Sequence, residues 1–211
     1  MVKSLKGKMV VIISLLILVL ISVSSFILYN QSRDILEKSI LNNAENSAEQ
    51  NAQIITQWLQ GTANELNALA NTPAIRTMDW TKQLPVLEGT RKAHNDYEIM
   101  YVVKKNGQAR YSTGGGGNLS DRDYFKRVME TKEVSFSNPI VSRATKARII
   151  AIAQPIFEKN SKNVIGIVAA TVQLKYLQNL VKKMNIEGYG YGWIIDNTMK
   201  TQPAWSQIAS K

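Results

Sequence analysis

From Met9 to Tyr29 the chain carries no charged side chain, and Lys3, Lys6 and Lys8 crowd the start of that run. About 20 helical residues rising ~1.5 Å each span the ~30 Å hydrocarbon core of a bilayer, so the pattern predicts a transmembrane helix. Ser14, Ser22, Ser24 and Ser25 fit within it, because a serine hydroxyl bonds back to the carbonyl one turn earlier. By the positive-inside rule the lysines stay in the cytoplasm and residues after Tyr29 lie outside it. The competing reading is a cleaved signal peptide with Ser22 and Ser24 as a small-x-small site, but the run exceeds the ~7–15 residues of an h-region.

Beyond the anchor, Ile35, Leu36, Ile40, Ala44, Ala48, Ile55, Trp58, Leu59, Leu66, Leu69 and Ala70 recur at three- and four-residue steps among Asn, Gln, Glu and Ser. That single apolar stripe predicts one long helix, weakened only by Gly61 and stopped by Pro73. Such a helix cannot bury its stripe alone; it needs a domain packed along it, a second copy in a homodimer, or both. Past Pro73 the period shortens. Ile99 to Lys104 and Gln108 to Thr113 flank Asn106-Gly107, a pair suited to a tight hairpin turn because both residues tolerate positive φ, which predicts two antiparallel strands. Gly114 to Gly117 are expected to form a flexible loop, and Ser120 or Asp121 to cap a short helix reaching Thr131. Strands are expected at Val134 to Ser137, Arg148 to Phe157, Val164 to Leu174 and Tyr189 to Asp196, with an amphipathic helix from Leu174 to Met184. The fold class is α+β, a central antiparallel sheet built from roughly residues 75–185.

Composition narrows the chemistry. The chain has no cysteine and one histidine. Thiolate catalysis, zinc-thiolate sites and two-histidine metal sites are therefore out, and no metal or cofactor is expected. His94 has no nucleophile-elbow motif to serve; it is read as a solvated surface residue, and no catalytic residue is assigned. The net charge is +10, or +7 without the three N-terminal lysines. It is dispersed and accompanied by no nucleic-acid motif, so anionic small ligands or envelope polymers are the better partners. The glycine run lacks the helix context and Lys-Ser/Thr ending of a phosphate loop. Arg143, Lys146 and Arg148 cluster at a turn and are read as solvated, with a place at a pocket rim as the alternative.

Several ordered motifs carry a resemblance. The anchor, the long helix, the glycine run, Asn118-Leu119-Ser120-Asp121-Arg122-Asp123-Tyr124-Phe125, Ser137-Asn138-Pro139-Ile140-Val141-Ser142 and Ala151-Ile152-Ala153-Gln154-Pro155-Ile156 together resemble the extracellular double Cache sensor of bacterial methyl-accepting chemotaxis proteins. The resemblance implies two PAS-like modules on a long helix. It divides the chain into a cytoplasmic tail (1–8), a transmembrane helix (9–29), a long helix (30–72), a membrane-distal module (73–187) and the incomplete start of a membrane-proximal module (188–211). On this reading the chain is a truncated receptor, and its localisation is the inner membrane with the soluble part extracytoplasmic.

The candidate site follows. Arg122 stands at the start of a short helix, where a guanidinium and exposed amides favour an anion, and Tyr124 and Phe125 place aromatic surface beside it. The resemblance implies that Arg122-Asp123-Tyr124-Phe125 grips a ligand carboxylate, as an Arg-x-aromatic-aromatic run does in amino-acid-binding members. It further implies that the position of the aspartate holding the ligand amine is Thr171 here. A neutral threonine makes an ammonium less welcome, so an amine-free organic acid is expected ahead of an amino acid. Strand alternation adds Tyr101, Tyr111 and Ser142 as wall residues, with sheet packing as their alternative role. The function expected is sensing of a small extracellular solute by a chemoreceptor; a histidine kinase or cyclic-dinucleotide enzyme sensor, and a membrane-anchored envelope protein, are the alternatives.

Overall fold

The computed structural model describes residues 5–182, and the chain divides into two units, residues 1–49 and 50–211. The first unit is helical: it belongs to α1 (Leu5–Ala70), the one helix among the described residues long and apolar enough to cross a membrane. Within it the Ser22 hydroxyl donates back to the Leu18 carbonyl at 2.8 Å, as its place in an apolar run requires. Ile35, Leu36 and Ile40 are exposed, so this part of the stripe is uncovered.

In the second unit the stripe finds its cover. Ala63, Leu66 and Ala70 are buried, and Trp58, Leu59 and Leu69 pack against the same core. Polar bonds fasten the helix there as well. Trp58 Nε1 donates to Asp96 Oδ2 at 3.0 Å, and the Tyr97 hydroxyl donates to Glu65. His94, expected to be a solvated residue, is instead half-exposed, with Nε2 2.9 Å from Glu65 Oε1 and its ring stacked on Tyr97.

Two helices stand where strands were expected to begin. α2 (Pro73–Arg76) starts at Thr72, whose hydroxyl accepts from the Ile75 amide, and α3 (Trp80–Ala93) starts at Asp79, whose carboxylate accepts from the Thr81 amide. Pro85 lies inside α3 and Gly89 follows it, the residues that most weaken a helical pattern. Burial of Leu87, and of Gln83 with its amide on the Ile75 carbonyl at 2.9 Å, holds the helix together.

The sheet has seven strands: β1 (Tyr97–Lys104), β2 (Gln108–Tyr111), β3 (Gly116–Asn118), β4 (Ser135–Phe136), β5 (Ile140–Val141), β6 (Arg148–Phe157) and β7 (Val164–Gln173). The order is β3-β2-β1-β7-β6-β4, with β5 also on β6, and every pairing is antiparallel. β6 and β7 lie where their apolar runs predicted, and α5 (Leu174–Lys182) follows β7. The strand expected from Tyr189 to Asp196 lies outside the described residues. At the β1–β2 turn Gly107 takes the positive φ, and Asn106 accepts the Gln108 amide on its side chain.

The glycine run is not a loop throughout. Gly114 and Gly115 turn the chain with φ of 93° and 76°, but Gly116 and Gly117 pair with Arg110 and Ala109 as an edge strand. A β-carbon on Gly116 would lie 2.2 Å from the Ala109 carbonyl oxygen, so the strand needs glycine there. The helix that follows is α4 (Asp123–Thr131); its N-cap is Arg122, without a side-chain cap bond, rather than Ser120 or Asp121. Ser120 bonds Asn118 and Asp121 bonds Arg143 instead.

The sheet is covered on both sides. One core joins Leu66, Ile75 and Leu87 of the helices to Met100, Val102, Ile152, Val168 and Val172; the other joins Tyr101, Val103, Ile167 and Ala169 to Tyr124, Phe125 and Val128 of α4. Two glycines give opposite expectations. Gly166→Ala on β7 brings a β-carbon to 2.4 Å from the Val103 carbonyl oxygen and is expected to destabilise by about 1–3 kcal/mol. Gly61→Ala meets nothing within 4 Å on a helix and is expected to stabilise by about 0.5–1 kcal/mol. Urea unfolding of the purified chain measures both; equal effects would contradict this packing.

Candidate functional site

A cleft opens over the α4 side of the sheet, and its floor follows from strand alternation. Ile99 and Tyr101 of β1, Tyr111 of β2, Ile149 of β6 and Thr171 of β7 all face it. One wall is the chain entering α4, with Leu119, Arg122 and Tyr124; the other is the β5–β6 connection, with Ile140, Ser142 and Ala144 among its contributors. Apolar side chains are mixed in this lining with polar ones, Arg122, Ser142, Arg143 and Thr171 and the three tyrosine hydroxyls, as in small-ligand sites generally.

Two arginines tie these walls together. Arg122 Nη2 donates to the Val141 carbonyl at 3.1 Å, and Arg143 bonds the Asp121 carboxylate with both terminal nitrogens and the Asn118 carbonyl with one. Arg143 holds the Asp121 carboxyl below the usual carboxylate range, and Asp121 raises Arg143 in turn. The connection is itself compact: Ser142 N–H bonds the Ala147 carbonyl at 2.8 Å, and Lys146 N–H bonds the Ser142 carbonyl at 3.0 Å. So clasped, the cleft keeps about 30 Å³ of free space, room for roughly two waters.

The three tyrosines are neutral donors at physiological pH. Burial pushes the Tyr101 hydroxyl well up, helped by the adjacent Tyr124 oxygen, to which it donates at 3.0 Å. Burial also raises Tyr124 and Tyr111. The positive charge of Arg122 opposes the shift in all three, and that of Arg143 opposes it in Tyr111 and Tyr124, so the cleft is electropositive where its hydroxyls gather. Among the described residues no group of three or more His, Cys, Asp or Glu could hold a metal ion.

The structure thus brings Arg122, Tyr124, Tyr101, Tyr111, Ser142 and Thr171 together around one cleft. Phe125 is elsewhere: it is buried in the core beneath α4 with Val128, on the side of the helix turned to the sheet. Arg143, read as part of a solvated cluster, contributes to the wall. Ile99, Leu119, Ile140 and Ile149 were not singled out from the sequence, because nothing distinguishes such aliphatic residues from ordinary core until the strands are paired. Wider grooves lie on other faces, one of about 480 Å³ edged by Trp80, Lys104 and Arg110, but they gather no comparable set of buried hydroxyls.

Known proteins resemble this chain in sequence and in fold. The family model for the Cache domain matches residues 31–201. Sporulation kinase D of Bacillus subtilis (strain 168) is 29% identical over 117 residues, 54% of this chain and 23% of that protein. Methyl-accepting chemotaxis protein PscA of Pseudomonas syringae pv. tomato is 20% identical over 195 residues, 88% of this chain and 30% of that protein. This chain therefore spans less than a third of the length of either relative. The ligand-binding domain of Pseudomonas fluorescens chemoreceptor CtaA, solved in complex with L-serine, superposes with a TM-score of 0.65 at 20% identity, covering 81% of this chain and 80% of that one.

Proposed function

This chain belongs to the Cache domain family, and from that premise we propose that it is the sensing region of a transmembrane receptor, taking a small carboxylate-bearing solute into the cleft beside α4. The observation that carries the reading is the state of Arg122. Its guanidinium has five N–H donors, and among the described residues it bonds the Val141 main-chain carbonyl alone. Among the described residues it enters no ion pair, although Asp121 and Asp123 flank it in sequence. A cation turned into a cleft rather than toward its acidic neighbours is suited to an anion supplied from outside, and a carboxylate matches the planar fork of its donors. Neutral hydroxyls of Tyr111 and Tyr124 add donors for the same group, while the Tyr101 hydroxyl donates to Tyr124 and orients it.

Sensing, not catalysis, suits the site. Burial raises the proton affinity of its tyrosine hydroxyls, and no nucleophile is paired with a base. The chemotaxis protein and the kinase among the relatives share this region, so the proposal concerns the sensor and not the output. The apolar stretch from Met9 to Tyr29 anchors the region, with the sheet module outside the cytoplasm.

Two experiments test this. In the purified full chain, a small acid or amino acid that raises the melting temperature of the wild type is expected to bind Arg122→Ala more weakly by tenfold to over a hundredfold, since charge-assisted hydrogen bonds contribute about 1.5–3 kcal/mol. Equal binding by Arg122→Ala would refute the carboxylate seat. For topology, Lys162→Cys gives the otherwise cysteine-free chain one exposed thiol in the turn after β6. An impermeant maleimide is expected to label it on intact spheroplasts; labelling only after lysis would reverse the orientation.

A further inference from the structure

We infer that a second binding surface runs along α3 on the helix side of the sheet, a cationic trench that takes a carboxylate-bearing oligosaccharide. It is separate from the cleft beside α4 and does not depend on what that cleft binds. The trench follows from where α3 stops covering the sheet. Leu87 of α3 shares one core with Met100 and Val102 of β1. The next strand, β2, lies beyond that cover. Arg110 pairs with Val102 and so shares its face, yet Gln108 and Arg110 are exposed while Ala109 and Tyr111, on the other face, are buried. Two grooves of about 480 and 600 Å³ flank this uncovered strip, and Trp80 at the start of α3 walls both. The first passes Lys104 and Arg110; the second follows Leu84 and Arg91 to the turn at Gly114 and Gly115.

The charges of the trench are unevenly matched. Its two acids are already engaged: Asp79 accepts the Thr81 amide and hydroxyl, and Glu88 pairs with Lys92 at 3.3 Å. Three of its cations are not. Arg91, Lys104 and Arg110 enter no ion pair among the described residues. The Nε of Arg91 is buried without a hydrogen-bond partner, and the guanidinium of Arg110 stands over the Trp80 ring, 5.9 Å from its centroid.

These features favour a chain over a single small acid. From Gln108 to Ser112 the strip is about 14 Å long, and exposed charges that are weak one by one add up when one molecule engages them together. A peptide chain is the poorer occupant, because β1 and β3 already take the main-chain bonds of β2 on both edges and leave no strand edge to extend. The lining is more than charge. Trp80 and Leu84 supply apolar wall, and Asn106, Gln108 and Thr113 supply amides and a hydroxyl. A sugar ring bearing a carboxylate has the matching parts: a C–H face for the indole, hydroxyls for the amides and an anion for the guanidinium groups. A ringless phosphate polymer would leave the indole unused.

Calorimetry on the full chain in detergent tests this with tetragalacturonate as the probe. Maltotetraose, poly-L-glutamate and polyglycerol phosphate are the comparisons. Wild type is expected to bind the probe at least about tenfold more tightly than any of the three, and less tightly as salt is raised. The double variant Lys104→Gln/Arg110→Gln, at two exposed positions, is expected to bind it about tenfold more weakly or worse. Lys126→Gln/Arg127→Gln removes two equal charges from the exposed face of α4 and is expected to change nothing, as is Arg122→Ala in the cleft. Maltotetraose binding as tightly as the probe, or binding indifferent to salt, overturns the role of charge and with it the inference. Poly-L-glutamate or polyglycerol phosphate binding as tightly overturns the saccharide. Equal losses in the two double variants show that net charge alone is at work, and a loss in Arg122→Ala alone puts the probe in the cleft; either overturns the trench. If the probe does not bind at all, the inference fails while the carboxylate seat at Arg122 stands or falls by its own test.

Discussion

The constraint on which the structure depends is that β1, β6 and β7 are buried on both faces. A strand alone alternates its side chains between two sides; a strand in the middle of a covered sheet must satisfy two separate cores at once. β7 shows it residue by residue, with Val168, Ala170 and Val172 under the helices and Ile167 and Ala169 over the α4 layer. A one-residue slip of β7 against β1 would exchange those sets, so the register is held from both sides. That rigidity lets the cleft be built on the sheet while the long helix is fastened to the opposite face by Glu65, Trp58 and the apolar residues between them.

Against this fixed floor the cleft walls are light. α4 is nine residues long, β5 is two, and the turn from Ser142 to Ala147 is held by a few main-chain bonds and the Arg143–Asp121 pair. The pair is exposed on both sides and in reach of solvent screening, so it positions the walls more than it stabilises the fold. With about 30 Å³ free, a solute of several heavy atoms enters only if these walls part. Arg122 is placed to couple the two events. The nitrogen that now bonds the Val141 carbonyl is one a carboxylate would claim, and releasing Val141 frees the β5 wall. On the proposed carboxylate seat, ligand and wall would compete for the same donor, and such competition biases a conformational equilibrium.

How far the sequence disclosed this depends on how each residue signals itself. β6 and β7 were legible because long apolar runs between turn residues have few other uses, and Arg122 because a cation before an aromatic pair at a helix start is uncommon. α3 was hidden by Pro85 and Gly89, which tertiary burial of Gln83 and Leu87 overrides. β3 was hidden because glycines have no side-chain pattern to read, and its pairing depends on their lack of a β-carbon. Phe125 looked like a companion of Arg122, yet whether it faces the cleft or the core is set by the rotation of α4 on the sheet. The shift of register between Tyr97 and Ile99, where β1 pairs with β7, left no trace, since Ile99 to Val103 is apolar on both faces and a misplaced alternation cannot be seen where nothing alternates. Arg143 was read as solvated, with the pocket rim as its alternative, because only the β5–β6 pairing brings it back to Asp121.

A crystal structure of the chain with the tightest-binding member of an acid and amino-acid screen tests the account most directly. The account predicts density in the cleft with the carboxylate within about 3 Å of the Arg122 guanidinium, and the Arg122 bond to the Val141 carbonyl broken. Density in the groove beside Trp80, Lys104 and Arg110, with the bond from Arg122 to Val141 intact, would contradict it.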